Sequence, residues 1–312
     1  MSLRNEEPCE TPAGEAGARA YDLVVIDIDG TLLTSKHRIP ASVAPLVEEV
    51  QSRGIGVTLA TGRPRLTLLP AFTELKLTLP YISSGGAFIF DPATQQVLYR
   101  CALRYEQVAL CVEQARAAQV AIVSQMPDHL YYEGDVATWE ELKAVANVDN
   151  AVVDGGRTSL TRVPDVLFMC PQPLKMTLCG EPGTVSTIEQ ALRQREASLH
   201  LTYSGPPYLE ITRSEASKGE AIKRLASCLG IVLERVIAIG DSSHDISMLE
   251  AVGTAVAMGN AGEEVKAVAD LVAPSNDEDG VAWTLRELVL AGRQTGAGPS
   301  SVGRKAHHRA AS

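Results

Sequence analysis

Two aspartates one residue apart, Asp27 and Asp29, close a continuous apolar run and are followed by Gly30 and Thr31. Where strand geometry persists, alternation sends both carboxylates to one side and turns Ile28 away. Gly30 then allows a turn that other residues resist. Asp241 follows a second apolar run, Val236-Ile237-Ala238-Ile239, and Asp245 stands four residues later, one turn into a helix. Taken singly, each aspartate reads equally as a cap beside a turn or near a helix N-terminus. Three or four carboxylates brought to one edge repel one another unless a cation neutralises them. Oxygen ligands of this type suit magnesium, which also takes a substrate phosphate oxygen.

Two further segments could meet a phosphate. Thr61-Gly62-Arg63-Pro64 ends another apolar run. It offers a hydroxyl, a glycine that lets the backbone approach closely, and a proline suited to the first turn of a helix, where free N–H groups bind anions. Ser217-Lys218-Gly219-Glu220 has the form of a capping box, with Ser217 at the cap and Glu220 reaching back. That puts Lys218 in the first helical turn, where the helix dipole disfavours a cation. A lysine kept there either faces solvent or serves an anionic ligand.

The elements that carry these residues alternate. Strands are predicted at 23–26, 55–59, 81–83, 236–239 and 254–257, and helices at 42–51, 65–75, 219–229, 244–251 and 280–290. Apolar runs followed by helical spacing imply a Rossmann-like parallel sheet covered on both faces. Ligands bind outside the carboxyl ends of such strands, where Asp27, Thr61 and Asp241 fall. The middle of the chain is richer in strands, at 87–90, 97–100, 120–123, 129–132, 174–178, 199–203 and 208–212, with helices at 105–118, 137–144 and 184–193. Gly205-Pro206 marks the turn of its last hairpin. This predicts an α/β core at 20–86 and 213–291, an inserted α+β domain at 87–212, a loose arm at 1–19 and a disordered polar tail at 292–312.

Composition narrows the class. The 312 residues suffice for two ordinary domains, and a formal charge of −10 speaks against a broad nucleic-acid surface. Six scattered cysteines without CxxC spacing give neither a zinc site nor a disulfide framework. No stretch reaches the roughly 18 apolar residues of a membrane span. A cytoplasmic enzyme with no membrane and no nucleic-acid partner fits these features.

Asp27-Ile28-Asp29-Gly30-Thr31, Thr61-Gly62-Arg63, Lys218 and Gly240-Asp241-Ser242-Ser243-His244-Asp245 together resemble the four ordered motifs of the haloacid dehalogenase superfamily. The long strand-rich stretch between the second and third motifs is similar to the Cof-type phosphatases, which carry an α/β cap there. This resemblance implies a phosphoric monoester hydrolase acting on a small phosphorylated metabolite, such as a sugar phosphate or phosphorylated cofactor. It implies Asp27 as nucleophile and Asp29 as acid and base. Magnesium is implied to bind at Asp27, Asp241 and the carbonyl of Asp29, with Asp245 in support. Thr61, Gly62, Lys218 and His244 are implied to contact phosphate. The chain departs from the group twice: His244 stands in place of the usual Asn, and Gly85-Gly86-Ala87 in place of Asn-Gly-Ala. A phosphosugar mutase and a non-catalytic phosphometabolite sensor are the alternatives on the same core. Tyr131, Tyr132, Arg162 and Lys175 are candidates for contacts from the cap.

Overall fold

A computed structural model describes residues 20–135, 159–203 and 208–291 of the chain. The strands are β1 (Leu23–Ile26), β2 (Gly56–Leu59), β3 (Tyr81–Ser83), β4 (Phe88–Asp91), β5 (Gln96–Arg100), β6 (Ala121–Gln125), β7 (His129–Glu133), β8 (Ser159–Arg162), β9 (Lys175–Cys179), β10 (Leu199–Tyr203), β11 (Tyr208–Arg213), β12 (Val236–Gly240), β13 (Thr254–Ala257) and β14 (Leu271–Val272). The helices are α1 (Val43–Ser52), α2 (Arg65–Glu74), α3 (Tyr105–Ala117), α4 (Val166–Met169), α5 (Pro182–Arg195), α6 (Lys218–Cys228), α7 (Ile246–Ala251), α8 (Glu263–Val268) and α9 (Gly280–Thr284). The predicted helix at 137–144 and the turn at Gly205-Pro206 lie outside the described residues.

A five-stranded parallel sheet runs in the order β14-β13-β12-β1-β2. Its strands are apolar at consecutive positions because both faces are covered. Val24 and Ile26 enter one core cluster with Val47, Leu59, Ile239 and Leu285. Leu23 and Val25 enter another on the opposite face, with Ile222, Leu225, Met248 and Leu249 from α6 and α7. Burying each such side chain is worth about 1.5–3 kcal/mol. With β1 at the centre of the sheet, Asp27 and Asp241 fall at the ends of adjacent strands, since Ile26 pairs with Ile239.

A second sheet of six strands runs β10-β11-β9-β6-β7-β8 and is antiparallel except for β7 and β8. Met176, Leu178, Leu209 and Ile211 point to one face and pack on α3 and α5. Lys175 and Glu210 point the other way. The hairpin of β4 and β5, read from sequence at the head of the inserted domain, pairs instead with β3. Alternation decides this: Phe88 and Phe90 join the cluster that contains Val24, and Ile89 joins the one that contains Val25. Aromatic packing fixes the hairpin further, with Phe72 edge-on to Tyr81 at 5.1 Å and Tyr81 beside Phe90 at 5.9 Å.

Polar contacts among the described residues join the six-stranded sheet to the core. Gln125 Nε2 donates to Ser84 Oγ at 2.5 Å, and Arg65 on α2 pairs with Asp128 between β6 and β7. Lys175 Nζ donates to the carbonyl of Gly62 at 3.3 Å. Among the described residues, no helix is long and apolar enough to cross a membrane.

Candidate active site

Asp27 leaves β1 with its N–H donating to the carbonyl of Ile239 at 3.0 Å. The chain does not continue as a strand. Leu32 N–H donates to Asp27 C=O at 3.2 Å and Leu33 N–H to Ile28 C=O at 2.9 Å, closing a wide i to i+5 turn. Both aspartates keep extended backbone, but Ile28 lies in the turn, so strand alternation is not what aims them. Gly30 sits at φ +77°, and a Cβ there would lie 2.2 Å from Asp241 Oδ2. Gly30→Ala is therefore expected to displace Asp241, to cost about 1–3 kcal/mol through the left-handed backbone and to weaken activation by a divalent cation. A thermal melt and a magnesium titration of activity check both effects; a variant matching wild type in both contradicts this.

Lys218 opens α6 and is buried, its side chain only 3% exposed, which excludes a solvent-facing role. Nζ donates to Asp27 Oδ1 at 2.6 Å and to Asp245 Oδ1 at 2.5 Å. Half of the expected capping box forms: Ser217 Oγ accepts from Glu220 N–H at 3.1 Å. Glu220 does not reach back; its carboxylate pairs with Arg224 at 3.1 Å, one turn along an exposed face.

Asp245 is fully buried, and both its oxygens are engaged. Oδ2 accepts from the N–H groups of Asp241 and Ser242, each at 3.0 Å, and from Ser242 Oγ at 3.1 Å. It thus holds Lys218 on one side and the loop bearing Asp241 on the other. Asp241 Oδ1 accepts from Thr31 Oγ1 at 2.7 Å. Oxygens of Asp27, Asp241 and Asp245 all lie within 4.8 Å of one another. A hard, anionic oxygen set of this kind fits magnesium.

Thr61 follows β2 and is buried, with its Oγ1 accepting from Arg63 N–H at 3.1 Å, so its own proton is left to donate. Beside Gly62, the place a Cβ would occupy has no described atom within 4 Å. His244 is half-buried and makes no hydrogen bond among the described residues. It sits near enough to His200 on β10 to add to the effect of burial in lowering the pKa of that imidazole. Of the four cap candidates, Lys175 is the one placed against a motif loop. It is buried, bonded to Glu210 at 2.8 Å as well as to Gly62. Arg162 pairs with exposed Asp135 at 2.7 Å, and Tyr131 packs against the apolar side of the sheet.

One residue without an assigned role in the sequence reading takes a central place. Arg63 Nε donates to Asp29 Oδ2 at 2.8 Å and Nη2 to Asp29 Oδ1 at 2.7 Å. The signal was weak: Arg63 lies within a quoted motif but two residues before α2 begins, so it lacks the helix-dipole anomaly that singled out Lys218.

The charges compete. Burial pushes the Asp27 carboxyl well up, and Asp245 and Asp241 push the same way against Lys218. Burial also acts against the Lys218 ammonium, but Asp245 and Asp27 outweigh it and hold its pKa above the ordinary lysine range. The directions are compatible because one ammonium cannot balance three carboxylates. At Asp29 burial is outweighed by the hydrogen bonds and charge of Arg63, and the pKa falls below its usual range. Asp241 is raised from 3.8 to about 6 by burial and Asp245, in spite of Thr31.

This makes the metal-free site a liability at neutral pH. Folded Asp241 keeps its proton to about pH 6, whereas the unfolded chain releases it near pH 4. Stability from this group is therefore complete below about pH 4 and is lost as pH rises through about 6, by at most about 3 kcal/mol. In chelator, wild type should lose stability across that window, and Asp241→Asn should lose less. Denaturant melts at several pH values test the slope; equal slopes contradict it.

The match to the haloacid dehalogenase-like hydrolase family spans residues 24–285. The chain is 31% identical to phosphatase YwpJ of Bacillus subtilis in an alignment of 294 positions that covers 86% of this chain and 99% of that one. It is 27% identical to pyridoxal phosphate phosphatase YbhA of Escherichia coli over 263 residues, 83% and 96% of the two. A solved subclass IIB sugar phosphatase, BT4131, superposes with a TM-score of 0.73 at 25% identity, covering 86% of this chain and 98% of that one. The chain belongs to the haloacid dehalogenase-like hydrolases. Within them it is a Cof-type phosphatase.

Proposed function

We propose that this phosphatase hydrolyses small phosphate monoesters, sugar phosphates or phosphorylated cofactors, through an aspartyl-phosphate on Asp27 with magnesium as its cation. The observation that carries the reading is the Lys218 ammonium held between Asp27 at 2.6 Å and Asp245 at 2.5 Å, at the carboxyl edge of the sheet. A carboxylate with a buried cation against it is fixed in place as a nucleophile. The substrate class is supported by the pyridoxal phosphate phosphatase and the sugar phosphatase among the related proteins.

In this reading Asp27 attacks phosphorus while Asp29, which must first take up a proton against the charge of Arg63, gives that proton to the departing oxygen. Asp29 then takes a proton from the water that attacks the aspartyl-phosphate. Lys218 and the Thr61 hydroxyl stabilise charge on the phosphoryl oxygens. Asp27 and Asp241, with the carbonyl of Asp29, would hold magnesium, which supplies charge neutralisation and a ligand position for a phosphate oxygen. Asp245, both of whose oxygens are engaged, orients this set. His244 is assigned to the phosphate side of the same loop.

The division of labour follows the chain. Residues 20–86 and 213–291, with the β4–β5 hairpin packed on them, form the catalytic core, and the rest of 87–212 the domain that selects the leaving group. The polar face of the six-stranded sheet, including Lys175 and Glu210, supports that assignment. A cytoplasmic location is part of the proposal, supported by Cys101, Cys111, Cys170 and Cys228, all present as thiols.

Phosphate release from p-nitrophenyl phosphate and from a panel of phosphorylated metabolites tests the activity. Turnover that stops in chelator and returns with magnesium is expected. Absence of turnover on every substrate, with metal present, overturns it.

A further inference from the structure

We infer that Arg63 is a positioning residue for Asp29, fixing the carboxylate that handles the leaving-group proton. The inference rests on the acid/base reading of Asp29 given above. Asp29 lies in an irregular turn beside a left-handed glycine, with its side chain 39% exposed. A short carboxylate in that setting has little to fix its orientation. Among the described residues, every hydrogen bond to it comes from the guanidinium of Arg63, at 2.8 Å and 2.7 Å. Two parallel bonds from a planar fork fix both the position and the plane of the carboxylate.

The fork itself is anchored. Arg63 is 6% exposed, its Nη1 donates to the carbonyl of Thr67 at 3.3 Å, and its backbone N–H donates to Thr61 Oγ1 at 3.1 Å. These bonds tie the orientation of Asp29 to the loop that carries Thr61. A guanidinium with its Nε, Nη1 and Nη2 donors so committed is placed to orient a carboxylate, and a general phosphate contact would require it to let go. While Asp29 carries the proton, that carboxyl oxygen is a poor acceptor for Arg63, so one bond of the fork is open and the other keeps the group in place; giving the proton to the leaving oxygen lets the fork close.

The consequence is specific to the leaving group. An alkoxide needs a proton to depart, whereas p-nitrophenolate leaves without one. Since kcat/KM reports steps up to the first irreversible one, it isolates formation of the aspartyl-phosphate. Arg63→Met should lower kcat/KM for a sugar phosphate by about 100-fold, within the range of general acid catalysis. For p-nitrophenyl phosphate the change should stay within about threefold on the same basis. Arg63→Lys, with one donor in place of a fork, should show the same bias at smaller size. In an Asp29→Ala background, Arg63→Met should add less than about threefold on either substrate, because the coupled partner is gone.

Equal losses on both substrates, as expected for a phosphate ligand or a damaged fold, overturn the inference, as does no loss on either. Should the Met variant fail to fold in circular dichroism melts, the Lys variant carries the comparison and an unbiased loss there overturns it equally. Asp29→Ala separates this from failure of the underlying reading. If Asp29→Ala shows no leaving-group bias, the role of Asp29 itself falls; if it does and Arg63→Met does not, only the role of Arg63 falls.

Discussion

Asp27→Asn is expected to lower kcat by about ten-thousandfold or more, as loss of a covalent nucleophile does. The substitution is nearly isosteric, and its amide oxygen can still accept from Lys218. It also removes a charge that the fold opposes, because burial and the neighbouring Asp245 and Asp241 all push the Asp27 proton on. In chelator at neutral pH the variant should therefore melt no lower than wild type, and above it where Asp27 would otherwise be ionised. Activity and stability move in opposite directions, which separates a lost nucleophile from a damaged fold. Phosphate release and thermal melts on one preparation check both. A variant with near-wild-type turnover contradicts the assignment.

Lys218→Met should be costly in both respects. It strands Asp27 and Asp245 together in a buried site, 6% and 0% exposed, without their shared ammonium. Breaking a buried pair by removing one partner costs about 3–5 kcal/mol, which in a chain this long lowers Tm on the order of 10 °C. The penalty should shrink at lower pH, where protons neutralise the carboxylates, and in magnesium, where a cation does. Activity should fall by about a hundredfold to a thousandfold with the loss of a charged group at the phosphoryl oxygens. Melts with and without magnesium at two pH values, beside kcat, check these effects. A metal-independent Tm equal to that of wild type contradicts the charge balance described for the site.

The parallel core and the order of its chemistry were legible because they depend on local pattern. Leu23 to Ile26 and Val236 to Ile239 are apolar on both faces, and Asp27 and Asp241 stop those runs at one edge. Lys218 stood out by violating the helix dipole, and burial against two aspartates accounts for it. What escaped depends on contacts between distant residues. The hairpin of β4 and β5 looks the same in sequence whichever sheet it joins; Phe88 and Phe90 packing near Tyr81 settle its place. Glu220 had two partners within reach, and Arg224 won over the helix cap. Thr31 and Arg63 were within quoted motifs, but their partners Asp241 and Asp29 lie 210 and 34 residues away. Lys175 was a candidate for a contact from the cap, but its partners, Glu210 and the Gly62 carbonyl, lie 35 and 113 residues away.

The central claim is that Asp27 accepts the phosphoryl group, and a rapid-quench experiment tests it most directly. Asp29→Asn lacks the base for the second step, so p-nitrophenyl phosphate, which needs no acid to react, should load this variant faster than water clears it. Peptide mapping by mass spectrometry after an acid quench should then find one added phosphoryl group, on the peptide and at the position of Asp27. The same mapping of Asp27→Asn should find none. A phosphoryl group on any other residue, or steady phosphate release by Asp27→Asn, would contradict the account.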